Sequence, residues 1–401
     1  MKPRASAILY VHNSADVYGA SRSLLRLLGR LDRERFTPLV VLPEEGPLRG
    51  LLEQAGAEVV IYPKLAVISR HLARSPRLLL FPFRLLSSGR FLRRLIRRRG
   101  IDLVHTNSAV IPAGALAARR AGVPHLWHIR EWFQEFRGLW GPYSRFMVRN
   151  SARVLAVSEA VATQFGDRQR VEVLHNGFDL AEFAVPGAEY ARAFRQQWQL
   201  GDEPIVGTVG RIKLVRKGQE IFVRAAALLE QRGCRARWVI VGAPFPGNES
   251  HLAELRRLIR EHNLEARVIL TGELPDPRKV YPALEVFVLP SAQPEPFGGV
   301  VMEAMAMGVP VVATAIGGSV DQVAEGVTGF LVPPGDPVAL ADRVESLLRD
   351  PALRERMAQA GPQRIARHFA LADTVARLEQ IYREAIDAAF GGDPKSQPVS
   401  G

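Results

Sequence analysis

The chain has 401 residues, of which 47% are hydrophobic and 23% are charged, and its mean hydropathy is near zero. This composition excludes a largely disordered chain, and the length predicts two domains with substantial cores. The net charge of +12 arises in the first half, since residues 1–190 carry 28 Lys and Arg against 16 Asp and Glu, whereas residues 191–401 carry 25 of each. The single cysteine, Cys234, excludes an intramolecular disulfide and fits a reducing compartment.

The sequence contains no segment that is typical of export or membrane insertion. The first apolar stretch, Ala7–Val11, is too short for the core of a signal peptide. No uncharged apolar run reaches the roughly 18 residues that a membrane-spanning helix needs. We therefore expect a cytoplasmic protein, with peripheral contact to the inner face of the cytoplasmic membrane left open.

Short aliphatic runs alternate with longer segments of helical period, which predicts two successive series of β-α-β units. The predicted strands are Ala7–Val11, Thr37–Leu42, Val59–Tyr62, Leu103–Thr106, His125–Ile129, Val154–Val157, Ile205–Val209, Val239–Val241, Val268–Leu270, Val286–Leu289 and Val311–Ala315. Strands that are apolar on both faces favour parallel sheets covered by helices on both sides. The predicted fold class is α/β, with two doubly wound Rossmann-like domains.

Turn-forming residues between Asn176 and Pro204 indicate the domain boundary. We expect an N-terminal domain over residues 1–185 and a C-terminal domain over 186–370. A helix over 371–390 is expected to pack back toward the N-terminal domain, and residues 391–401 are expected to form a disordered tail. Because ligands bind beyond the carboxyl ends of parallel strands, the cleft between the two domains is the expected site.

The segment that follows the strand end at Leu289 carries the most chemistry. Glu295 lies between two prolines and therefore belongs to a loop. Helix-forming residues follow Gly298 and Gly299 and place Glu303 about one turn into a helix. The free amides of such a helix start suit a phosphate, and carboxylates accept hydrogen bonds from ribose or hexose hydroxyls. The alternative is that Glu303 only balances the helix dipole and that Glu295 is a solvated loop charge.

A basic loop, residues 210–218, follows the first strand of the second domain and precedes a helix. Arg211 and Lys217 bracket this loop, where they could neutralise a departing diphosphate. The loop is not a Walker A motif, and no Gly-x-Gly-x-x-Gly motif occurs in the chain. The alternative is a solvated basic loop without a ligand.

A third candidate segment connects the first strand to a helix with a leucine-rich face. Gly19 in this segment would allow the backbone to approach a ligand. A plain turn is the alternative.

Taken together, these motifs resemble the retaining glycosyltransferases of the GT-B fold, in the large glycosyltransferase family 4. Glu295 and Glu303, separated by seven residues, resemble the Glu-x7-Glu signature of that family. The other matching segments follow in the family's order and extend over nearly the whole chain: Gly19-Ala20, Asn176-Gly177-Phe178-Asp179, Gly210-Arg211, Lys217-Gly218, Leu289-Pro290-Ser291, Glu295-Pro296-Phe297-Gly298, Gly317-Gly318, Gly329-Phe330-Leu331-Val332 and Pro334-Gly335-Asp336. The resemblance implies that the C-terminal domain holds a nucleotide diphosphate-sugar and the N-terminal domain holds the acceptor.

The resemblance also implies roles for the matched residues. Arg211 and Lys217 would contact the diphosphate and Glu303 the ribose, while Glu295 would position the transferred sugar and stabilise charge, with a nucleophilic role as a remote alternative. The remaining donor-binding candidates are Gly19, Ala20, Gly210, Gly272, Glu273, Pro296, Phe297, Gly298, Gly299 and Val300, with Gly272 and Glu273 near the base. No Asp-x-Asp motif occurs, and the resemblance implies neither a metal nor a cofactor beyond the nucleotide-sugar co-substrate.

Two positions depart from the family's pattern. The family often has a histidine six residues after a strand-initial proline, whereas here Arg130 occupies that position and His128 lies two residues earlier. Both side chains would face the same side of a strand and either could reach the donor. The alternative is a core role or a salt bridge with Glu131. Tyr18 stands where a second glycine is common, which narrows the glycine loop.

Residues 76–99 combine a cluster of arginines with an apolar face. The apolar face consists of Phe91, Leu92, Leu95 and Ile96. Such a helix can lie on an anionic bilayer, or it can pack into the first domain and keep a solvated basic face. We hypothesise that the N-terminal domain contacts the membrane to reach a glycan or lipid-linked acceptor in cell-surface polysaccharide or glycolipid synthesis.

Two other functions compete with this interpretation. A GT-B-fold nucleotide-sugar epimerase or a phosphorylase would replace the sugar acceptor by water or phosphate, although the Glu-x7-Glu spacing argues against both. A nucleic-acid-binding protein would use the positive first half. That function predicts nothing about Glu295, Glu303, Arg211 or Lys217, and no helix-turn-helix, zinc or RNA-binding signature occurs. We therefore expect no nucleic-acid partner.

Overall fold

The computed structural model describes residues 4–68, 79–133 and 137–391 and divides the chain into two compact units. Unit 1 contains the described residues of 1–177 and of 371–401, and unit 2 contains residues 178–370. Unit 1 is therefore assembled from two separate parts of the chain. The predicted tail lies outside the described residues from position 392 onward.

The strands of the described residues form one parallel sheet in each unit. They are β1 (Ser6–Val11), β2 (Phe36–Leu42), β3 (Glu58–Ile61), β4 (Leu103–Thr106), β5 (His125–Ile129), β6 (Arg153–Ala156) and β7 (Val171–Val173) in unit 1, and β8 (Ile205–Val209), β9 (Arg237–Val241), β10 (Val268–Gly272), β11 (Val286–Leu289), β12 (Val311–Thr314) and β13 (Gly329–Val332) in unit 2. The strand orders are β3-β2-β1-β4-β5-β6-β7 and β10-β9-β8-β11-β12-β13. The order reverses between β1 and β4 in unit 1 and between β8 and β11 in unit 2, and ligands bind at such switch points.

The predicted α/β class with two doubly wound sheets is confirmed, and each of the predicted strands is present. Sequence patterns did not reveal β7 and β13. Both strands lie at the edge of their sheet, β7 has three residues and β13 begins with Gly329, so neither contains a long aliphatic run.

Most α-helices of the described residues lie between consecutive strands, and the last three follow β13. The helices are α1 (Gly19–Arg30), α2 (Pro47–Gln54), α3 (Phe81–Arg99), α4 (Ala113–Ala121), α5 (Arg137–Arg149), α6 (Glu159–Ala162), α7 (Gly187–Gln197), α8 (Gln219–Gln231), α9 (Glu249–Glu261), α10 (Gly299–Ala306), α11 (Ser319–Gln322), α12 (Pro337–Arg349), α13 (Pro351–His368) and α14 (Leu371–Phe390). Within the described part of the chain, every helix is too short or too polar to cross a bilayer.

Each sheet has an apolar core on both of its faces because side chains alternate along a strand. In β1, Ile8 and Tyr10 belong to one core, whereas Leu9 and Val11 belong to the other. This arrangement explains why the strands are continuous hydrophobic runs.

Helix α14 belongs to the core of unit 1, although it follows unit 2 in the chain. The buried Tyr382 hydroxyl lies 2.8 Å from the Tyr10 hydroxyl and 2.6 Å from His105 Nδ1. The last helix therefore completes the sheet face formed by β1 and β4.

Helix α3 is only partly buried. Leu92 and Ile96 lie in the core of unit 1, where α3 packs against α4, and the arginines near the end of the helix are exposed. Leu79 and Phe83, at the beginning of this region, are 79% and 70% exposed. The second half of the predicted amphipathic segment is therefore a packed helix with a solvated basic face, whereas residues 76–78 lie outside the described residues.

Candidate functional site

The switch point of unit 2 brings together two residues that are far apart in sequence. Lys217 lies in the loop after β8, and Glu295 lies in the loop after β11, the neighbouring strand. Lys217 Nζ donates a hydrogen bond of 2.7 Å to Glu295 Oε2. The Lys217 side chain is 28% exposed and that of Glu295 is 12% exposed, so this ion pair is partly accessible to a ligand.

The shape of the Glu295 loop depends on the glycine pair that follows β12. The Gly318 amide donates a 2.8 Å hydrogen bond to the Glu295 carbonyl oxygen. A Cβ atom at Gly317 would lie 2.3 Å from the Glu295 carbonyl oxygen, and one at Gly318 would lie 2.6 Å from the Pro296 carbonyl oxygen. Only glycine allows this close approach of two backbones, so Gly317 and Gly318 hold the Glu295 loop against β12.

The Glu295 carboxylate is ionised. Burial alone would raise its pKa, but the charge and hydrogen bond of Lys217, a hydrogen bond from Ser291 and the charge of Arg216 outweigh burial, so the pKa of Glu295 lies below its ordinary value. Ser291 Oγ donates to Glu295 Oε1, so both carboxylate oxygens have a donor. A carboxylate held in this way suits charge stabilisation and sugar positioning better than nucleophilic attack.

The loop that carries Arg211 and Lys217 is fixed at both ends by glycines. Gly218 has a left-handed φ of 69°, and a Cβ atom there would lie 1.8 Å from the Pro290 carbonyl oxygen. The Gly210 amide donates a 2.9 Å hydrogen bond to the Val241 carbonyl oxygen of β9. The Arg211 guanidinium lies 5.2 Å from the centre of the Phe245 ring. The loops that follow β8, β9 and β11 therefore meet at one edge of the sheet.

Glu303 lies on α10, one turn after its first residue. The residue is buried, and the Tyr281 hydroxyl donates a 2.9 Å hydrogen bond to Glu303 Oε2. A buried carboxyl group requires a hydrogen-bond partner of this kind. Tyr281 was not predicted, because it precedes Glu303 by 22 residues and lies in a separate short helix.

The other predicted donor-binding residues of unit 2 lie along the same sheet edge. Gly298 precedes α10, and Gly299 and Val300 begin it. The Phe297 ring packs against Phe178, with 6.3 Å between the ring centres. The remaining predicted residues are Pro296, in the Glu295 loop, and Gly272 and Glu273, at the end of β10. The Gly272 carbonyl oxygen accepts a 2.8 Å hydrogen bond from the amide of Gly242, which follows β9.

In unit 1, Gly19 and Ala20 begin α1 at the end of β1. The preceding loop is held by Asp16, whose Oδ1 accepts hydrogen bonds from the Tyr18 amide (3.1 Å) and from Ser21 Oγ (3.2 Å). A Cβ atom built at Gly19 would have no atom of the described residues within 4 Å, apart from its chain neighbours and its own helix. The space beside the Gly19 backbone is therefore open even though Tyr18 replaces the second glycine.

Arg130 is the centre of a buried polar network in unit 1. Its guanidinium donates to Asn107 Oδ1 at 2.9 Å, to Ser23 Oγ at 2.9 Å and to Asn176 Oδ1, and its Nη2 lies 3.3 Å from His128 Nδ1. These partners are uncharged, and no carboxylate of the described residues forms an ion pair with the guanidinium.

The alternative of a salt bridge between Arg130 and Glu131 does not hold in the described structure. Glu131 instead accepts backbone hydrogen bonds from Arg130 (3.0 Å) and Ala109 (3.1 Å). The carboxylate therefore fixes the backbone after β5 and leaves the Arg130 side chain to the neutral network.

Burial determines the protonation states of this network. Burial and the charge of Arg130 lower the pKa of His12 to about 4. Burial, followed by the charge of Arg130 and by electrostatic coupling to the neighbouring His105, lowers the pKa of His128 well below its ordinary value. Burial lowers the pKa of Arg130 to about 10, so the guanidinium stays charged at neutral pH. The Arg130 network thus holds a buried positive charge beside neutral histidines.

Sequence reasoning did not identify the residues that hold Arg130. His12, which lies 3.1 Å from Asn107 Nδ2, and Asn107 directly follow β1 and β4. Each of two predicted strands is followed directly by a polar residue. Because the carboxyl ends of neighbouring parallel strands lie at the same edge of a sheet, this pattern could have predicted that His12 and Asn107 lie close together. His128 and Arg130 do lie together, as expected for alternate residues of a strand and its end.

The chain matches two family descriptions over different parts of its length. Residues 17–182 match "Glycosyltransferase Family 4", and residues 191–364 match "Glycosyl transferases group 1". Together these ranges contain most of both units. They include Arg130 in unit 1 and Arg211, Lys217, Glu295 and Glu303 in unit 2.

Two relatives and one solved structure show how far the similarity extends. An alpha-D-kanosaminyltransferase from Streptomyces kanamyceticus is 35% identical over 60% of this chain and 62% of its own length, so the chain spans less than two thirds of that relative. A D-inositol 3-phosphate glycosyltransferase from Xylanimonas cellulosilytica is 33% identical over 71% of this chain and 72% of its own length. The crystal structure of Anabaena HepE in complex with UDP has a TM-score of 0.79 at 26% identity, covering 94% of this chain and 100% of HepE.

Proposed function

Because the chain belongs to glycosyltransferase family 4 and has the GT-B fold, we propose that it transfers a sugar from a nucleotide diphosphate-sugar to a glycan or lipid-linked acceptor, with retention of configuration. The observation that carries this proposal is the contact between Lys217 and Glu295 at the switch point of unit 2. Positive charge and an ionised carboxylate lie side by side there, next to the start of α10. A diphosphate and the sugar attached to it need these two kinds of partner in immediate succession.

Each residue at this edge has a defined task in the proposed reaction. Lys217 and Arg211 neutralise the diphosphate as it departs, and the positive end of the α10 dipole favours the same group. Glu303, held by Tyr281, accepts hydrogen bonds from the ribose hydroxyls. Glu295 accepts hydrogen bonds from the sugar and stabilises the positive charge that develops on it. The acceptor attacks from the face that the diphosphate leaves, so no covalent enzyme intermediate is needed.

We propose UDP as the nucleotide. HepE, which has a TM-score of 0.77 and 25% identity to this chain in its complex with UDP-glucose, supports this choice. Gly272 and Glu273, at the end of β10, would lie beside the base. In the strand order, β10 is the strand farthest from β11, which leads into the Glu295 loop and the sugar.

A thermal-shift screen with UDP, GDP, ADP and their sugars tests the donor proposal. UDP should raise the unfolding temperature of the wild type and should do so less in Lys217→Ala and in Glu303→Ala. The exposed Lys64→Ala and Glu265→Ala are matched controls that remove the same charges elsewhere. No stabilisation by any nucleotide, or equal stabilisation of all four variants, would contradict the proposal.

The reaction should proceed without a metal ion. In the part of the chain that the structure describes, no three or more His, Cys, Asp or Glu side chains form a group that could hold a metal. The charge of Lys217 and Arg211 takes the place that a divalent cation would occupy beside the diphosphate. Transfer rates should therefore be equal with EDTA and with added Mg²⁺, whereas a loss of activity in EDTA would refute metal independence.

We further propose that unit 1 binds the acceptor, and that it does so at the cytoplasmic face of a membrane in the synthesis of a cell-surface polysaccharide or glycolipid. The exposed Leu79, Leu80, Phe83 and Leu86 precede the buried part of α3 and support this proposal. Apolar side chains beside arginines suit the interface of an anionic bilayer.

Vesicle sedimentation tests the membrane proposal. The wild type should bind vesicles of phosphatidylglycerol and phosphatidylcholine more strongly than vesicles of phosphatidylcholine alone. Leu79→Ser combined with Phe83→Ser should reduce that binding, whereas Val327→Ser combined with Val338→Ser, which changes two exposed apolar residues of unit 2, should not. Equal and negligible binding to both vesicles would remove the proposal but leave the donor proposal untouched.

A further inference from the structure

A second concave site lies in unit 1, at the amino ends of β5 and β6. It is a cavity of about 960 Å³ between α4 and α5. Four arginines line it: Arg119, Arg145, Arg149 and Arg170. Among the described residues that line it, there is neither Asp nor Glu. We call this site the arginine cavity.

The protein does not neutralise the charge of the arginine cavity. Arg119 Nη1 donates to Asn150 Oδ1 at 3.1 Å, Arg145 Nε donates to the Gly141 carbonyl oxygen at 3.1 Å, and Arg170 Nη1 donates to the Ser151 carbonyl oxygen at 3.2 Å. These acceptors are all uncharged. Among the described residues, none of the four arginines forms an ion pair with a carboxylate.

Several other arginines of the described residues do pair with a carboxylate. Arg99, for example, pairs with Glu58 on the neighbouring strand, and Arg377 pairs with Glu172. In the arginine cavity, neutral acceptors orient guanidinium groups whose mutual repulsion an anion would relieve. Preorganised and unneutralised donors are the usual feature of an anion site.

The arginine cavity is separate from the network around Arg130. His125, the first residue of β5, lines the cavity, whereas Arg130 follows the last residue of the same strand. A strand of five residues spans about 16 Å at about 3.3 Å per residue. The arginine cavity therefore lies at the amino ends of the strands, and the Arg130 network lies at their carboxyl ends. Burial lowers the pKa of His125 to about 3, so this histidine adds no positive charge to the cavity.

We propose that the arginine cavity binds an organic phosphate. The planar fork of an arginine matches the oxygens of a phosphate group. The volume exceeds the need of a single inorganic anion and falls in the range of about 300–1,000 Å³ that is usual for pockets of small organic ligands. Val123, Pro124, Pro142 and Phe146 provide an apolar wall for the organic part of the ligand.

The phosphate has two chemically equivalent sources, a soluble sugar phosphate and the headgroup of a phospholipid. Calorimetric titration with fructose 1,6-bisphosphate tests the soluble source, and sedimentation with phosphatidylglycerol vesicles tests the lipid source. The test variant is Arg145→Gln combined with Arg149→Gln, since both side chains are exposed and their loss leaves the core intact. The control is Arg256→Gln combined with Arg260→Gln, which removes the same charge from the exposed face of α9.

Loss of two cavity arginines should weaken binding about thirtyfold in at least one titration, because each cation near an anionic surface contributes a factor of about five in affinity. The control and Lys217→Ala should bind as the wild type does. A loss only with the bisphosphate identifies a soluble ligand, and a loss only with vesicles identifies a lipid. Unchanged binding in both titrations, or an equal loss in the α9 control, overturns the proposal. Loss of bisphosphate binding in Lys217→Ala alone would assign the ligand to unit 2 and overturn it as well.

Discussion

Replacement of Gly218 by alanine should disable the candidate site of unit 2 without unfolding the unit. The new Cβ atom would lie 1.8 Å from the Pro290 carbonyl oxygen, whereas real Cβ contacts are essentially never shorter than 3.0 Å. The backbones must therefore separate by at least about 1.2 Å, the difference between these two distances. Pro290 begins the loop that leads to Glu295, and Lys217 is the neighbour of Gly218. The 2.7 Å contact between Lys217 and Glu295 cannot survive that displacement unchanged.

A displacement of about 1 Å in a catalytic group reduces turnover about a hundredfold. Alanine at a left-handed φ also costs about 1–2 kcal/mol of stability. A second glycine in unit 2 serves as a matched control for this backbone strain. Gly233 has a φ of 72°, close to the 69° of Gly218, but a Cβ built there has no atom of the described residues within 4 Å apart from its chain neighbours. Gly233→Ala therefore carries the backbone strain alone.

The assay compares kcat/KM for sugar transfer and the urea midpoint of Gly218→Ala, Gly233→Ala and the wild type. We expect Gly233→Ala to lose stability but to keep its kcat/KM within about threefold, whereas Gly218→Ala loses about a hundredfold in kcat/KM. Equal kcat/KM values for the two variants would show that the close approach at Gly218 does not control the Lys217–Glu295 contact.

Three further predictions concern protonation and hydrogen bonding. Lys217→Ala should raise the pKa of Glu295 and move the acidic limb of the pH profile of kcat/KM to higher pH, while Lys217→Arg keeps the wild-type profile; an unmoved limb would contradict this. Tyr281→Phe should weaken nucleotide binding about tenfold, because Glu303 loses its donor; calorimetry measures this, and wild-type affinity would count against it. His12 has a pKa of about 4 when folded, below its ordinary 6.5, so the unfolded chain binds the proton more readily between these values. The free energy of unfolding should therefore fall as the pH drops from 6.5 to 4, and His12→Asn should reduce that slope by up to about 1.4 kcal/mol per pH unit in urea titrations; an unchanged slope would exclude His12 as a contributor.

The residues of the unit 2 site could be predicted because they lie in local patterns. Glu295 between two prolines predicts a loop, and Gly298 followed by helix formers predicts the start of a helix, so the positions of Glu295 and Glu303 on a loop and a helix follow from neighbours in sequence. The ion pair with Lys217 could not be predicted. It joins loops that are 78 residues apart, and its distance depends on how closely Gly218 lets two backbones approach.

The hydrogen-bond partners of Arg130 in unit 1 could not be predicted from the sequence. A guanidinium pairs with whichever acceptor the fold brings near, and Glu131, the adjacent carboxylate, was the obvious local partner for Arg130. The fold instead supplies Asn107 and Asn176, which follow β4 and β7. Since β7 itself was not predicted, neither was the position of Asn176 beside the guanidinium.

The basic charge of the first half also has a more specific distribution than composition suggests. The predicted amphipathic helix is anchored by Leu92 and Ile96, so its later arginines are a solvated face of a packed helix. The arginine cavity draws its charge from α4, α5 and the residues before β7, which no local pattern groups together.

The discontinuity of unit 1 has a consequence for the order in which the protein is made. Tyr382 and the apolar face of α14 fill the core that Tyr10 and His105 begin, yet a ribosome synthesises them after the whole of unit 2. Unit 2 is continuous and has all its strands as soon as Ala370 emerges. One face of the unit 1 sheet therefore stays uncovered while unit 2 is synthesised, so unit 1 begins before unit 2 and is completed after it.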